Sequence, residues 1–240
     1  MPKNSMKASK TTNNINNWYD KVPEDLLPKY SNPNFDQHRL SHPFRAILCA
    51  ASGGGKTNLA LEILHRMKGT FNLVVLCCKD PSEPLYAFLQ TKLPPENLHV
   101  YADGKIPTLK EYADEEGQSL IIFDDLVVEK NQNQIKEFFI RGRKLGKGGF
   151  SCMYLSQSFF GVPKIVRLQC NLLILKKLTD TRDLKLILST FSLGMNFDEL
   201  LTLYKYCTQT PSDFLLVDLD KGEEERYRKG FLEVIEIPSV

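Results

Sequence analysis

Ala50-Ala51-Ser52-Gly53-Gly54-Gly55-Lys56-Thr57 stands between an apolar run, Phe44 to Cys49, and a stretch in which Ala60, Ile63, Leu64 and Met67 recur at helical spacing. Three consecutive glycines let a backbone curl until successive N–H groups point inward. At a helix N-terminus such a loop holds the oxygens of a di- or triphosphate. In this reading Ala50, Ala51, Ser52, Gly53, Gly54, Gly55, Lys56 and Thr57 bind nucleotide, Lys56 reaches the β- and γ-phosphates, and the Thr57 hydroxyl ligates Mg²⁺. Ala46 to Cys49 is short and continuous, as a buried parallel strand is, so the motif has a strand before it and a helix after it. The usual pattern G-x-x-x-x-G-K-[ST] has glycine where this chain has Ala50. A methyl group there asks for a slightly different turn and leaves the chemistry alone. A glycine-rich turn with an exposed lysine is the alternative.

From Phe44 onward strand-like and helix-like runs alternate, the signature of an α/β fold with a mostly parallel sheet flanked by helices. Strands are expected at Leu73 to Cys78, Leu98 to Tyr101, Leu120 to Phe123, Phe150 to Leu155 and Cys170 to Leu175. Helices are expected at Pro84 to Gln90, around Ile135, Phe138 and Phe139, and at Asp180 to Leu188. Another opens at Asn196, with Glu199 three residues on and Phe197, Leu200, Leu201 and Tyr204 on one face. Phe214 to Leu219 and Tyr227 to Ile237 flank a turn at 220–222 and read as a C-terminal β-hairpin. Residues 1–41 form a polar N-terminal extension, with Lys3, Lys7 and Lys10 unopposed by any acid before Asp20, although Trp18, Tyr19, Leu26 and Leu27 are too apolar for a free tail. Residues 42–240 form one phosphate-loop domain, of which about 196–240 is a helix and hairpin appendage.

The run Leu120-Ile121-Ile122-Phe123 ends abruptly in Asp124-Asp125. The carboxyl ends of parallel strands share a rim with the phosphate loop, so Asp124 can reach the water shell of an Mg²⁺ held by Thr57. Asp125 is then the candidate base that orients the attacking water; an N-cap or a solvated turn is the other account of two acids here. Gln157, just past the strand Phe150 to Leu155, is placed to sense the γ-phosphate or to be an ordinary polar loop residue. Arg141 and Arg143 offer planar, permanently charged donor forks for a phosphoryl group, commonly supplied by a neighbouring subunit, or simply favourable charge at a helix C-terminus.

At 240 residues and 42% hydrophobic the chain can bury one substantial core. No run is long enough to span a bilayer and no apolar segment follows the N-terminal Met-Pro-Lys, so neither a membrane span nor a signal peptide is expected. The six cysteines never form a C-x-x-C pair and mostly fall in apolar runs, as buried small hydrophobes in a reducing interior do. The net charge is only +2, yet between Lys136 and Lys185 stand 11 Lys or Arg against 3 acids, a local +8 that leaves −6 for the remainder. Such polarisation suits a polyanion, and Lys144, Lys147, Lys164 and Arg167 are the candidate DNA-facing residues.

The phosphate loop at 50–57, Phe-Asp-Asp at 123–125, Arg-Gly-Arg at 141–143 and Ser-Gln-Ser at 156–158 together resemble the viral genome-packaging ATPases of the FtsK–HerA superfamily. The likeness is to the compact versions of poxviruses, other large cytoplasmic DNA viruses and virophages, and it covers about residues 42–220. It implies a RecA-like P-loop NTPase core of the additional-strand type, with a strand inserted between the phosphate-loop strand and the acidic strand. It further implies a homo-oligomeric ring, pentamer or hexamer, that hydrolyses ATP with Mg²⁺ at subunit borders and moves double-stranded DNA through a capsid vertex. The place of action would be the virus factory of the host cytoplasm, or the virion. By position, Lys56 and Thr57 take the loop roles, Asp124 the metal role, Asp125 the role usually held by Glu, Gln157 the sensor role, and Arg141 or Arg143 the trans arginine. Two other readings stay open: a nucleotide-gated DNA- or capsid-binding module with little turnover, and a P-loop small-molecule kinase.

Overall fold

Leu120-Ile121-Ile122-Phe123 has no polar residue to turn toward water, and it lies where such a run is stable, between two parallel strands and under helices on both faces. The computed structural model describes residues 16–127 and 132–236. Its strands are β1 (Arg45–Cys49), β2 (Leu73–Cys77), β3 (Leu98–Tyr101), β4 (Ser119–Asp124), β5 (Phe150–Ser156), β6 (Leu172–Leu175), β7 (Leu215–Asp218), β8 (Tyr227–Lys229) and β9 (Glu233–Val234). The helices are α1 (Phe35–His38), α2 (Lys56–Arg66), α3 (Pro84–Lys92), α4 (Gln132–Arg141), α5 (Lys164–Gln169), α6 (Arg182–Thr190), α7 (Phe197–Cys207) and α8 (Glu223–Arg226). One sheet runs in the order β3-β2-β4-β5-β1-β6-β7-β8-β9, parallel through β6 and antiparallel after it. β5 therefore lies between the phosphate-loop strand β1 and the acidic strand β4, the additional strand that the resemblance implied. Among the described residues no helix is long and apolar enough to cross a membrane.

Strand alternation divides the core in two. Ile47, Val75, Ile121, Phe123 and Tyr154 face one layer, with Ile135, Phe138 and Phe139 of α4 and Leu184 and Ile187 of α6. Leu48, Leu76, Leu120, Ile122 and Leu155 face the other, with Leu59 and Ile63 of α2 and Tyr86 and Leu89 of α3. All six cysteines are buried and free.

The capping box is present: Asn196 Oδ1 accepts from the N–H groups of Asp198 and Glu199, and Glu199 accepts from that of Asn196. The buried stripe of α7 is Leu200, Leu203, Tyr204 and Cys207, so Leu203 lies deeper than the expected Phe197 and Leu201, as the i, i+3, i+4, i+7 period from Leu200 requires. The expected C-terminal hairpin is present, with β7 antiparallel to β8. Strand β7 pairs with β6, so it belongs to the central sheet; α8 interrupts the link to β8, and the second run breaks at Gly230, φ 63°, where β9 turns back; Ile237 lies outside the described residues. Buried Arg228 ties this end to the chain start, donating to the carbonyls of Arg39 and Phe231 and pairing with Asp218 at 3.4 Å.

The N-terminal segment divides at Ser31. From there it is fastened to the body: Ser31 and Gln118 exchange two hydrogen bonds, Asn32 accepts from Thr70, and Leu40 is buried. Before it, Trp18, Tyr19 and Leu26 remain exposed; Lys3, Lys7 and Lys10 lie outside the described residues.

Gly148 sits where two backbones touch: a Cβ there would stand 2.3 Å from the carbonyl carbon of Gly117 and 2.4 Å from the nitrogen of Gln118. Backbone cannot rotate aside as a side chain can. Gly148→Ala should cost about 1–3 kcal/mol and lower the melting temperature by several degrees in calorimetry; an unchanged melt would contradict this close approach.

Candidate functional site

Parallel strands deliver their carboxyl ends to one rim, and β1, β2, β4, β5 and β6 all end there. Cys49 stands opposite Ser156 on one side and Leu175 on the other, and Asp124 stands opposite Leu155. Residues after these strands therefore meet, however far apart in sequence.

The loop 50–55 leaves β1 with the Ala50 N–H bonded to the Ser156 carbonyl and the Ala51 N–H to that of Lys177. Gly53 and Gly55 adopt φ 69° and 79°, conformations that favour glycine. Leu59 is the first residue of α2 whose N–H bonds back, to Gly55, so the preceding N–H groups of the first turn are free of intrahelical acceptors. Ala50 is buried with φ outside the positive region, so its methyl causes no strain. It is accommodated by Gly54, whose Cβ would stand 3.1 Å from the Ala50 methyl and 2.8 Å from the Ala51 oxygen.

Asp125 holds the centre of the rim at φ 50°, a conformation that Asp adopts more readily than most side chains. Its Oδ2 pairs with Lys56 Nζ at 3.3 Å and accepts from Gln157 Nε2 at 3.1 Å. Lys56 of the glycine loop, Asp125 and Gln157 thus meet on one oxygen. The Gln157 loop is itself anchored, because buried Asp183 of α6 accepts from the Ser158 hydroxyl and the Phe160 N–H, both at 2.9 Å.

Asp124 is buried beside it. The Tyr86 hydroxyl donates to Asp124 Oδ2 at 2.5 Å, the Thr57 side chain lies beside the same hydroxyl, and Asp124 Oδ1 is buried without a partner. Burial, reinforced by the Asp125 and Glu83 charges, raises the Asp124 carboxyl to about 6, against the opposing effects of Tyr86 and Lys56. Burial also pushes the Tyr86 phenol up, so it remains the donor. A hydroxyl and a carboxylate with an unused buried oxygen fit Mg²⁺, a hard ion that takes one or two protein ligands and completes its shell with phosphate oxygens and water. Asp124, Asp125, Gln157, Glu83, Lys79 and Ser158 line a cavity of about 440 Å³ over this rim.

The expected arginines lie elsewhere. Helix α4 runs from the rim to the opposite edge of the sheet, so Arg141 and Arg143 stand exposed near the start of β5, with Lys144, beside a second cavity of about 440 Å³. They do not join the loop of their own chain. The expected DNA-facing set is also split: Lys147 pairs with Glu116 at 2.6 Å at that same edge, while Lys164 is exposed at the start of α5 and Arg167 lies over the Phe159 ring at 5.4 Å. Tyr86 and Glu83 do not stand out in the sequence. Both follow β2, and the rim rule marks any polar residue there as a candidate.

No family model matches the chain, and no curated protein matches it. Among solved structures, the genome packaging NTPase B204 of Sulfolobus turreted icosahedral virus 2, in complex with ATP-gammaS, is 16% identical over 82% of this chain and 100% of its own, with a TM-score of 0.56. B204, the DNA-packaging ATPase of Sulfolobus turreted icosahedral virus, is 16% identical over 87% and 100%, also at 0.56. The pCW3 conjugation coupling protein TcpA, with ATPgS, is 11% identical over 80% of this chain and 60% of its own, at 0.52. This chain has the same P-loop NTPase fold as B204 and TcpA.

Proposed function

We propose that this protein is an ATP-driven translocase of double-stranded DNA that packages a viral genome into a preformed capsid, acting as a homo-oligomeric ring in the host cytoplasm. The observation that carries this is the meeting of Lys56, Asp125 and Gln157 on one carboxylate oxygen, with Thr57 and Asp124 on either side of Tyr86. The loop N–H groups and Lys56 bind the phosphates of ATP. To reach the γ-phosphate, Lys56 exchanges Asp125 for a phosphate oxygen. That exchange leaves Asp125 Oδ2 with Gln157 alone and able to accept a proton from the attacking water. Mg²⁺ held by Thr57 and Asp124 would neutralise charge developing on the phosphates.

A ring supplies the remaining cation. Arg141 and Arg143 lie remote from their own loop, and in this reading they serve a neighbour's nucleotide across a subunit border. Exposed Ile140, Phe160, Ile165 and Leu168 on and beside α4 and α5 supply apolar surface for such a border. The basic stretch 136–185 supplies counter-charge for DNA.

The test is phosphate release with and without duplex DNA, alongside sizing with a slowly hydrolysed ATP analogue. DNA-stimulated turnover and a pentamer- or hexamer-sized particle are expected. ATP left intact for many minutes with DNA present would replace the motor by a nucleotide-gated binding module, and DNA-independent transfer to a nucleoside would replace it by a kinase.

A further inference from the structure

Lys176 follows β6 and is 5% exposed. Its Nζ donates to the Pro211 carbonyl at 2.6 Å, and it has no carboxylate within ion-pair distance among the described residues; nearby Asp213 pairs with Lys229 instead. An ammonium has three N–H donors and is costly to bury without a counter-charge. Its surroundings identify the missing anion. Lys176 Cε and Nζ lie 3.5 and 3.7 Å from where a Cβ on Gly55 would stand, so the side chain runs against the phosphate loop.

The lysine is held there from three directions. Its N–H bonds to Cys49 of β1, the Lys177 carbonyl accepts from Ala51, and the Tyr204 hydroxyl of α7 donates to the Lys176 carbonyl and accepts from the Leu178 N–H. Strand order then says which part of a nucleotide it meets. Asp124, Asp125 and Gln157 come from β4 and β5, on one side of β1, and mark the γ-phosphate end; Lys176 comes from β6, on the other side.

We propose that Lys176 is a second phosphate-binding lysine, contacting the diphosphate portion of the bound nucleotide, next to the nucleoside, while Lys56 serves the terminal phosphate. This rests on the nucleotide-binding reading above. It also makes the segment 208–214, which positions the ammonium through Pro211, part of the nucleotide site.

The test is calorimetric titration of ADP and ATP into the full chain and two variants. Lys176→Gln keeps a donor for the Pro211 carbonyl but no charge; Lys176→Met removes both. Both should weaken ADP and ATP alike, by about ten- to a hundredfold, whereas Lys56→Ala should weaken ATP more than ADP. If Lys176 only braces the 208–214 loop, Lys176→Gln will bind ADP within twofold of the unsubstituted chain, and the proposal is overturned even if Lys176→Met fails to fold. If the unsubstituted chain binds neither nucleotide, the nucleotide reading falls, and this proposal with it.

Discussion

Lys56→Ala should lower ATP turnover by on the order of 10²–10³-fold, with little change in the thermal melt. In the proposed mechanism the substitution removes the ammonium that meets the phosphates, and it also leaves the Asp125 carboxylate facing them with only Gln157 to offset its charge. Repulsion between carboxylate and phosphate then adds to the lost attraction. The effects should therefore be non-additive for binding: Lys56→Ala with Asp125→Asn should bind ATP better than Lys56→Ala alone, without recovering turnover. Phosphate release and nucleotide titration on Lys56→Ala, Asp125→Asn and the double variant check this. Turnover of Lys56→Ala within tenfold of the parent would remove Lys56 from the chemistry.

Asp124→Asn should stop turnover and yet stabilise the fold at neutral pH. The folded carboxyl titrates at about 6, raised chiefly by burial, while an unfolded one titrates near 3.9. Between those values the folded chain holds a proton that the unfolded chain has released, so stability falls as pH rises through the window and levels off above it. A gap of about two pH units between the two states costs the ionised carboxylate roughly 3 kcal/mol. Asparagine carries no charge and escapes that cost, but it loses the anionic oxygen that suits Mg²⁺. Urea unfolding at pH 5 and pH 8 should show the variant gaining on the parent at the higher pH, with phosphate release lowered by about 10²-fold or more. A variant less stable than the parent at pH 8 would show that the buried acid is compensated more fully than its surroundings indicate.

Both predictions concern residues that stand out in the sequence itself, and the reason is local. A glycine turn after an apolar run, and two acids at the end of another, are written in consecutive residues, and the parallel-sheet rule brings strand ends together without knowledge of strand order. The α4 and α7 patterns are legible for the same reason, although the exact face of α7 shifts by a residue. Tyr86 is not legible, because a tyrosine in an apolar helix reads as core; only packing places its hydroxyl between Thr57 and Asp124. Arg141 and Arg143 show the opposite error of nearness. They follow the twin acids closely in sequence, yet a ten-residue helix carries them to the far edge of the sheet.

By itself the sequence determined the glycine loop between strand and helix, the alternation of strand and helix, and the acids at the rim, because each depends on short-range backbone geometry and apolar periodicity. Tertiary structure alone decided that β7 to β9 extend the central sheet, that Asp125 is shared by Lys56 and Gln157, and that Lys176 lies buried against Gly55. Those contacts join segments dozens of residues apart, and strand pairing between such segments leaves no periodic trace in either one.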